Sequence, residues 1–329
     1  MQVVFVYADT PNEMNTSIWR CKWPAEALSR NGHSAALFFR EDWLRRRPIH
    51  VAWGAEADVI VYERVATTQT LEDIKFWKRH GKKIVFSFDD AYDIMPDTIF
   101  TKSIWHVDGK SFGEPLITHF YEAMELADAV ETPSEVMCER YSKYAKTLYI
   151  PNYPDLNNPN WEKPYPVKIP GRVGWAGGAS HITSFTDSNI LPAIQNMPIT
   201  IIGGHPKIIN MLNDCHHVPA VPHNFYPYLL GQLSIGLAPL AGEFDYCRSW
   251  IKCLEYSLKG IPWVVTDSPP YKDCVGGLKI QNKSRAWKGA INYLLNEDTS
   301  AMIEEGMEWA WAQGVDAHIQ ERVEEYGKL

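Results

Sequence analysis

The sequence lacks several features that would assign it to a specialised class of protein. Its six cysteines include no C-x-x-C pair, and a chain of 329 residues does not need disulfides to fold, so reduced thiols are expected. No apolar run approaches the roughly 20 residues needed to cross a bilayer. The chain has no G-x-G-x-x-G after its first predicted strand and no Walker motif, which disfavours dehydrogenases and nucleoside triphosphatases.

An excess of positive charge is also missing. Lysine and arginine number 32 against 40 acidic residues, a net charge of −8, which disfavours a generally basic nucleic-acid-binding protein. Two local basic runs stand out, Arg45–Arg47 and Lys78–Lys83, and each is either a solvated face or a contact for an anionic acceptor. The first residues carry no basic leader before their apolar run. A cytoplasmic protein is expected, and peripheral membrane association stays open.

Short apolar runs alternate with amphipathic stretches along most of the chain. This alternation predicts an α/β protein with parallel sheets covered on both faces. Prolines crowd one segment and predict a linker there. The predicted organisation is a first Rossmann-like αβα domain at 1–152, the linker at 153–170, a second Rossmann-like αβα domain at 171–305, and a C-terminal helix at 306–329.

One segment, 235–262, is the most informative about ligand binding. It predicts a strand, a loop and a helix that begins near Arg248 and Ser249, with Ser249 as its cap. Free N–H groups at such a helix start suit a diphosphate, and Arg248 and Lys252 add positive charge. Glu255, on the same helical face as Lys252, could accept hydrogen bonds from ribose hydroxyls. The alternative is an exposed Lys252–Glu255 ion pair on a surface helix.

This segment resembles the donor-binding region of GT-B glycosyltransferases of the family-four type, in which a Pro-Leu, a Lys-Ser-x-x-Lys-x-x-Glu-Tyr and a Gly-x-Pro follow in order. Further similar motifs occur in sequence order over nearly the whole chain. They are Ser17-Ile-Trp-Arg20, Ala57-Asp-Val-Ile-Val-Tyr-Glu-Arg64, Phe88-Asp-Asp-Ala-Tyr-Asp93, Ala127-Asp-Ala-Val-Glu-Thr-Pro-Ser134, Ile150-Pro-Asn152 and Arg172-Val-Gly-Trp-Ala-Gly-Gly-Ala-Ser-His181. One departure from the family pattern is notable. Many members carry two glutamates in this region, and this chain has Cys247 at the position of the first one.

The resemblance implies the GT-B fold, in which two Rossmann-like domains face a central cleft and the C-terminal helix returns to the first domain. It places a UDP- or GDP-sugar on the second domain, with donor-binding residues Gly177, Gly178, His181, Arg248, Ser249, Lys252 and Glu255. It places the acceptor on the first domain, with Asp90, Asp89 and His106 as catalytic candidates and Arg20, Arg64 and Asp93 on the acceptor side. Asp89-Asp90 could instead hold a metal on a diphosphate, as Asp-x-Asp does in GT-A enzymes, or form a capped structural loop.

The predicted function is therefore transfer of a sugar from a nucleotide sugar to an acceptor hydroxyl, by a transferase that is retaining and requires no metal or cofactor. The acceptor could be a glycan, a lipid-linked glycan or a modified DNA base. Two alternatives remain: a phage-type enzyme that glycosylates hydroxymethylated bases in DNA, and a non-catalytic protein that binds sugar nucleotides. The sequence Cys215-His216-His217 is not expected to hold a metal, because adjacent residues cannot easily aim at one tetrahedral site.

Overall fold

The computed structural model describes residues 1–11, 15–99, 101–106, 115–163, 165 and 171–329. The chain divides into two compact units. The first consists of Met1–Asp93, Thr101–Asp155 and Gly314–Leu329, and the second of Ile94–Phe100 and Leu156–Gln313. Residues 164 and 166–170 of the predicted linker lie outside the described part of the chain.

A parallel sheet forms the centre of the first unit. Its strands β1 to β6 are Gln2–Tyr7, Ser34–Phe39, Val59–Glu63, Lys83–Ser87, Ala129–Thr132 and Thr147–Tyr149. Among the described residues they pair in the order β2-β1-β3-β4-β5-β6, and all these pairs are parallel. The strands β1, β3, β4 and β5 are almost entirely buried, as expected when helices cover both faces of a sheet.

Helices α1 to α7 of this unit are Trp23–Arg30, Arg40–Leu44, Pro48–Glu56, Thr68–Arg79, Lys102–His106, Ile117–Leu126 and Glu135–Tyr141. A π-helical turn, Ile18–Lys22, leads into α1. The Oγ of Ser134 accepts the N–H of Met137 at 3.2 Å, so Ser134 caps α7.

The second unit repeats this arrangement. Strands β7 to β12 are Val173–Gly177, Ile199–Gly203, Cys215–Val218, Ile235–Ala238, Trp263–Thr266 and Gly277–Ile280. Over the described residues they pair in parallel in the order β12-β11-β10-β7-β8-β9. Because β7 and β10 are neighbours, the loops that follow them leave the same edge of the sheet side by side. In open α/β sheets this carboxyl edge is where ligands bind.

Helices α8 to α15 of the second unit are Ile182–Asp187, Leu191–Ile194, Pro206–Asn210, Tyr226–Leu230, Gly242–Tyr246, Ile251–Leu258, Ser284–Asn296 and Ser300–Trp311. The core beneath them is unusually rich in tryptophan, since Trp175, Trp263 and Trp287 are completely buried. None of the helices that the structure describes, in either unit, is long and apolar enough to cross a bilayer.

The last helix, α16 (Val315–Gly327), belongs to the first unit and packs on α1. The single C-terminal helix predicted at 306–329 is wrong, because the chain is extended at Gly314 (φ −67°, ψ 146°) between α15 and α16. At one end of α16, Arg30 donates to Asp316 at 2.8 Å. Towards the other end, Arg322 and Tyr326 donate to the buried carboxylate of Glu131 at 3.1 and 2.5 Å.

Candidate functional site

The end of strand β7 and the start of helix α13 place a lysine in a narrow space. Lys252 Nζ donates to the carbonyl of Ala176 at 2.6 Å and lies 4.8 Å from the ring centroid of Trp175. A Cβ on Gly177 would be 2.5 Å from that Nζ and 2.7 Å from the Trp175 ring. Only glycine therefore leaves room for the ammonium group at position 177. Gly178 differs, because a Cβ there would meet nothing within 4 Å.

Lys252, which is half-buried, and Glu255, which is buried, lie three residues apart on α13 and influence each other's charge. Burial lowers the pKa of Lys252 to about 8, although the Glu255 carboxylate opposes this shift. Burial likewise raises the pKa of Glu255 to about 7, against the influence of Lys252. Tyr226 on α11 donates its hydroxyl to Glu255 Oε2 at 2.9 Å. The alternative of an exposed surface pair is therefore wrong, since Glu255 is only 4% exposed.

Asp245, a completely buried residue of α12, organises the loop that follows β10. Its Oδ2 accepts the N–H of Ala241 at 3.0 Å and the hydroxyl of Ser184 at 2.6 Å. Its Oδ1 accepts Arg248 Nε at 2.9 Å. The same guanidinium reaches Ser180, with Nη2 at 3.4 Å from its carbonyl and 3.3 Å from its hydroxyl. Asp245 thus holds Arg248 against the turn that follows Gly178.

His181 completes this cluster. Its ring is 7% exposed, its Nδ1 lies 3.2 Å from Ser184 Oγ, and it meets the Trp175 ring edge-on at 5.4 Å. Burial, with the nearby charges of Arg248 and Lys252, lowers the pKa of His181 well below its ordinary value. The imidazole is therefore neutral at pH 7 and adds no charge to the two cations beside it.

Ser249 is not the cap of helix α13. Helix α13 begins at Ile251, its N-cap residue is Trp250, and no side chain caps it. The sequence prediction of a Ser249 cap is wrong because the chain makes one further turn after α12 before the helix starts. Cys247, which stands at the position of the first family-type glutamate, is 1% exposed and packs inside the unit.

In the first unit, Asp89 and Asp90 follow β4 after Phe88, and both are half-buried. Tyr92 donates its hydroxyl to Asp89 at 3.1 Å, and its carbonyl lies 2.8 Å from His106 Nε2. The ring of Trp105 stacks on Tyr92 with centroids 3.9 Å apart. Tyr92, which the sequence did not single out, thus contacts Asp89 through its side-chain hydroxyl and His106 through its backbone carbonyl. Burial, then the charge of Asp89, raises the pKa of Tyr92 well above its ordinary value.

Asp93 is already engaged by neighbours within the unit. It accepts Arg140 Nη2 at 2.6 Å and the hydroxyl of Tyr121 at 3.2 Å, and it also accepts the hydroxyl of Tyr141. Burial alone would raise its pKa, but the hydrogen bonds from Arg140 and Tyr141 hold the pKa of Asp93 below its ordinary value. This arrangement anchors the segment after β4 to α6 and α7, which is a structural role.

The two predicted acceptor-side arginines occupy different environments. Arg20 is completely buried and donates to Ser87 Oγ at 3.1 Å, to the Ile150 carbonyl at 2.7 Å and to the Glu131 carboxylate. It is thus a member of the polar core of the first unit and does not face an acceptor. Arg64 lies just beyond β3 in the left-handed region (φ +45°) and pairs with Asp9, which follows β1.

Glu63 at the end of β3 is a further buried carboxylate that sequence reasoning missed. It is 1% exposed, and its Oε2 accepts the N–H of Ala8 at 2.7 Å and the hydroxyl of Ser17 at 2.5 Å. Burial raises the pKa of Glu63. Its position at a strand end, beside Arg64, was the available signal. In the part of the chain that the structure describes, no three His, Cys, Asp or Glu side chains converge as metal ligands.

The fold is shared with solved structures. Sucrose-phosphate synthase from Thermosynechococcus elongatus matches with a TM-score of 0.64 and 13% identity, over 100% of this chain and 99% of that one. HepE from Anabaena, in complex with UDP and glucose, matches with a TM-score of 0.64 and 12% identity over 99% and 98%. The chain has the GT-B fold. AviGT4, a glycosyltransferase involved in avilamycin A biosynthesis, shares it with a TM-score of 0.60 and 13% identity over 100% and 97%.

This likeness confirms the fold that the resemblance implied. The sequence itself matches no protein-family model and no curated protein. At 12–13% identity the solved structures show the fold alone. The function must therefore be argued from the site in this chain.

Proposed function

We propose that the protein is a glycosyltransferase that moves a sugar from a nucleotide-sugar donor to an acceptor hydroxyl. The observation that carries this proposal is the cluster at the carboxyl edge of the second sheet, where Lys252 and Arg248 stand beside the glycine turn after β7. Two cations and a close-approach glycine at this edge suit a diphosphate. HepE, which has the same fold, was solved with UDP and glucose bound, and this supports UDP as the nucleotide.

The donor would be held by residues of the second unit. Lys252 Nζ donates to the Ala176 carbonyl, and because an ammonium group carries three N–H donors, it can donate to phosphate oxygens as well. Arg248 is oriented by Asp245, and Ser249, Gly178 and His181 lie in the adjoining turns. The buried Glu255 carboxylate, fixed through one oxygen by Tyr226, would accept the ribose hydroxyls.

The acceptor would be bound by the first unit. Asp90, Asp89 and His106 are the groups that could orient or deprotonate an acceptor hydroxyl, and Tyr92 contacts both Asp89 and His106. Arg64 stands at the neighbouring strand end. Arg20 is left out of this role because it is held in a buried ion pair with Glu131, and Asp93 because it is held by Arg140 in a half-buried one.

Transfer would be of the retaining type and would need no divalent metal. As the bond from the sugar to the diphosphate breaks, negative charge develops on the leaving phosphate. Fixed cations in a water-poor site stabilise such charge without reorganising. Lys252 and Arg248 are the groups positioned to do this.

The test is thermal stabilisation by UDP and by GDP, each measured in EDTA and in Mg²⁺. We expect one of the two nucleotides to raise the melting temperature equally in both conditions. Glu255→Ala should abolish that shift, whereas Glu304→Ala, an exposed glutamate of α15, should keep it. No shift with either nucleotide would contradict the proposal.

Turnover distinguishes an enzyme from a non-catalytic binding protein. Nucleotide sugars are incubated with the protein, and the released nucleoside diphosphate is measured by mass spectrometry. Release that depends on Asp90, and that fails in Asp90→Asn, supports transferase chemistry. A thermal shift without release from any nucleotide sugar would favour a sugar-nucleotide sensor instead.

A further inference from the structure

Helix α3 has an outward face that is unusual for a helix in contact with water. It packs on the first unit through His50, which is 5% exposed, and through Gly54, where a Cβ would be 2.3 Å from the Trp77 ring. Its outward side chains are apolar except for Glu56 at its end. They are Pro48, Ile49, Val51, Ala52 and Ala55, with Ile49 54% and Val51 40% exposed. A water-facing helix side normally carries polar residues.

The two basic runs of the sequence lie at opposite ends of this same helix. Arg47 is the N-cap residue of α3 and ends the first run. At the other end, Lys82 Nζ donates to the carbonyls of Ala55 and Ala57 at 2.5 and 3.1 Å. Residues 42–58 and 78–83 together carry 7 basic and 3 acidic side chains, 7 − 3 = +4, in a chain whose net charge is −8.

Most of these cations are directed to solvent. Arg45 and Arg47 have side chains that are each 58% exposed, and both lie near the single carboxylate of Asp42, at 2.8 and 3.8 Å. Arg79 and Lys83 are exposed at the other end. Arg46 and Lys78 are exceptions, because they are paired with Asp73 at 2.8 Å and with Asp128 at 3.1 Å. Exposed apolar side chains are thus bordered by cations on two sides.

We propose that this surface, helix α3 with Arg45, Arg47, Arg79, Lys82 and Lys83, docks the protein on an anionic lipid surface. Ile49 and Val51 would enter the boundary between headgroups and acyl chains, and the cations would contact the anionic headgroups. A second copy of the chain fits less well. A two-fold interface would place this net positive surface against itself, and like charges facing each other disfavour association.

The test is co-sedimentation of the full chain with phosphatidylcholine vesicles, with and without about one third phosphatidylglycerol. We expect binding only to the vesicles that contain phosphatidylglycerol, and a bound fraction that falls as salt is raised. The double variant Ile49→Ser/Val51→Ser should weaken binding at least about tenfold, because it removes apolar side chains that lipid would cover. Arg45→Gln/Arg47→Gln should also weaken it.

The matched control is Tyr293→Ser, which removes a 48% exposed apolar side chain from α14 in the second unit and should bind as the parent does. All of these changes are at exposed positions, so circular dichroism and melting should match the parent. Equal binding by the Ile49→Ser/Val51→Ser variant, or no binding to anionic vesicles, would overturn the proposal. So would a dimer, seen by analytical ultracentrifugation, that the same double variant abolishes. The proposal does not depend on the nucleotide test above.

Discussion

Replacement of Gly177 by alanine tests the geometry of the donor site most directly. The added Cβ would lie 2.5 Å from Lys252 Nζ and 2.7 and 2.9 Å from two atoms of the Trp175 ring. The lysine can swing away, because its end is flexible. The completely buried indole cannot move without disturbing the core of the second unit. Gly177→Ala therefore perturbs both stability and the position of the ammonium group.

The magnitude follows from these contacts. Overpacking in a dense core costs about 1–3 kcal/mol. Such a loss corresponds to a fall in melting temperature of roughly 2–10 °C for a domain of this size. Displacing Lys252 from its hydrogen bond with Ala176 should also weaken nucleotide binding, by about tenfold if about 1.4 kcal/mol is lost.

Gly178→Ala is the matched control, one residue along the chain. Gly178 has φ −78°, an ordinary value for alanine, and its Cβ would meet nothing within 4 Å. We expect unchanged or slightly raised stability, by up to about 1 kcal/mol, because alanine restricts the unfolded chain. Differential scanning fluorimetry and titration calorimetry with UDP measure both variants. Equal melting temperatures for the two variants would refute the packing argument, and equal UDP affinities would refute the role given to Lys252.

Two further predictions concern titration. The Lys252 ammonium should bind the diphosphate only while it is protonated, so UDP affinity should fall as the pH rises through the pKa of Lys252, about 8. Lys252→Met should bind UDP weakly and show no such fall, and calorimetry over about pH 6.5–9.5 measures both. The pKa of Asp93 is lowered in the folded state, so its contribution to stability is present above its unfolded pKa of about 3.9 and is lost as the pH falls through its folded pKa. Asp93→Asn should therefore lower the free energy of unfolding by about 1–3 kcal/mol at pH 7, and the gap in stability between this variant and the parent should shrink in acid. Asp187→Asn, at an exposed position, should change the free energy of unfolding little at either pH. A stability gap for Asp93→Asn that stays the same in acid would contradict this reasoning.

Sequence patterns predicted those helices and strands whose spacing of apolar residues matches the faces that they bury. The alternation of strands and helices predicted both parallel sheets. Helix α3 was missed because its outward face is as apolar as its buried one, so it lacks the periodicity that marks a helix. The strand Cys215–Val218 was missed because it is too polar. It lies at the edge of its sheet and lacks the apolar run that marks a buried strand.

The candidate site was only partly accessible to sequence reasoning. Gly177 and Lys252 were predicted, because glycine turns and basic residues at strand and helix ends have a known use in phosphate sites. Their supporting residues, Tyr226 and Asp245, act through contacts that no local pattern encodes. The acceptor-side role predicted for Arg20 was wrong. A motif shows that an arginine is present, but it cannot show that the arginine is paired with a buried carboxylate, here Glu131.

The position of α16 has a consequence for the order in which the protein is made. The first unit contains residues 1–93, but its last helix follows the whole of the 156–313 segment. Until the ribosome has released residues 322–326, Glu131 has Arg20 beside it but neither Arg322 nor Tyr326. The second unit can therefore complete its fold during synthesis while the polar core of the first unit is still unfinished. A nascent chain arrested before Arg322 should present its first unit to chaperones in an incomplete form.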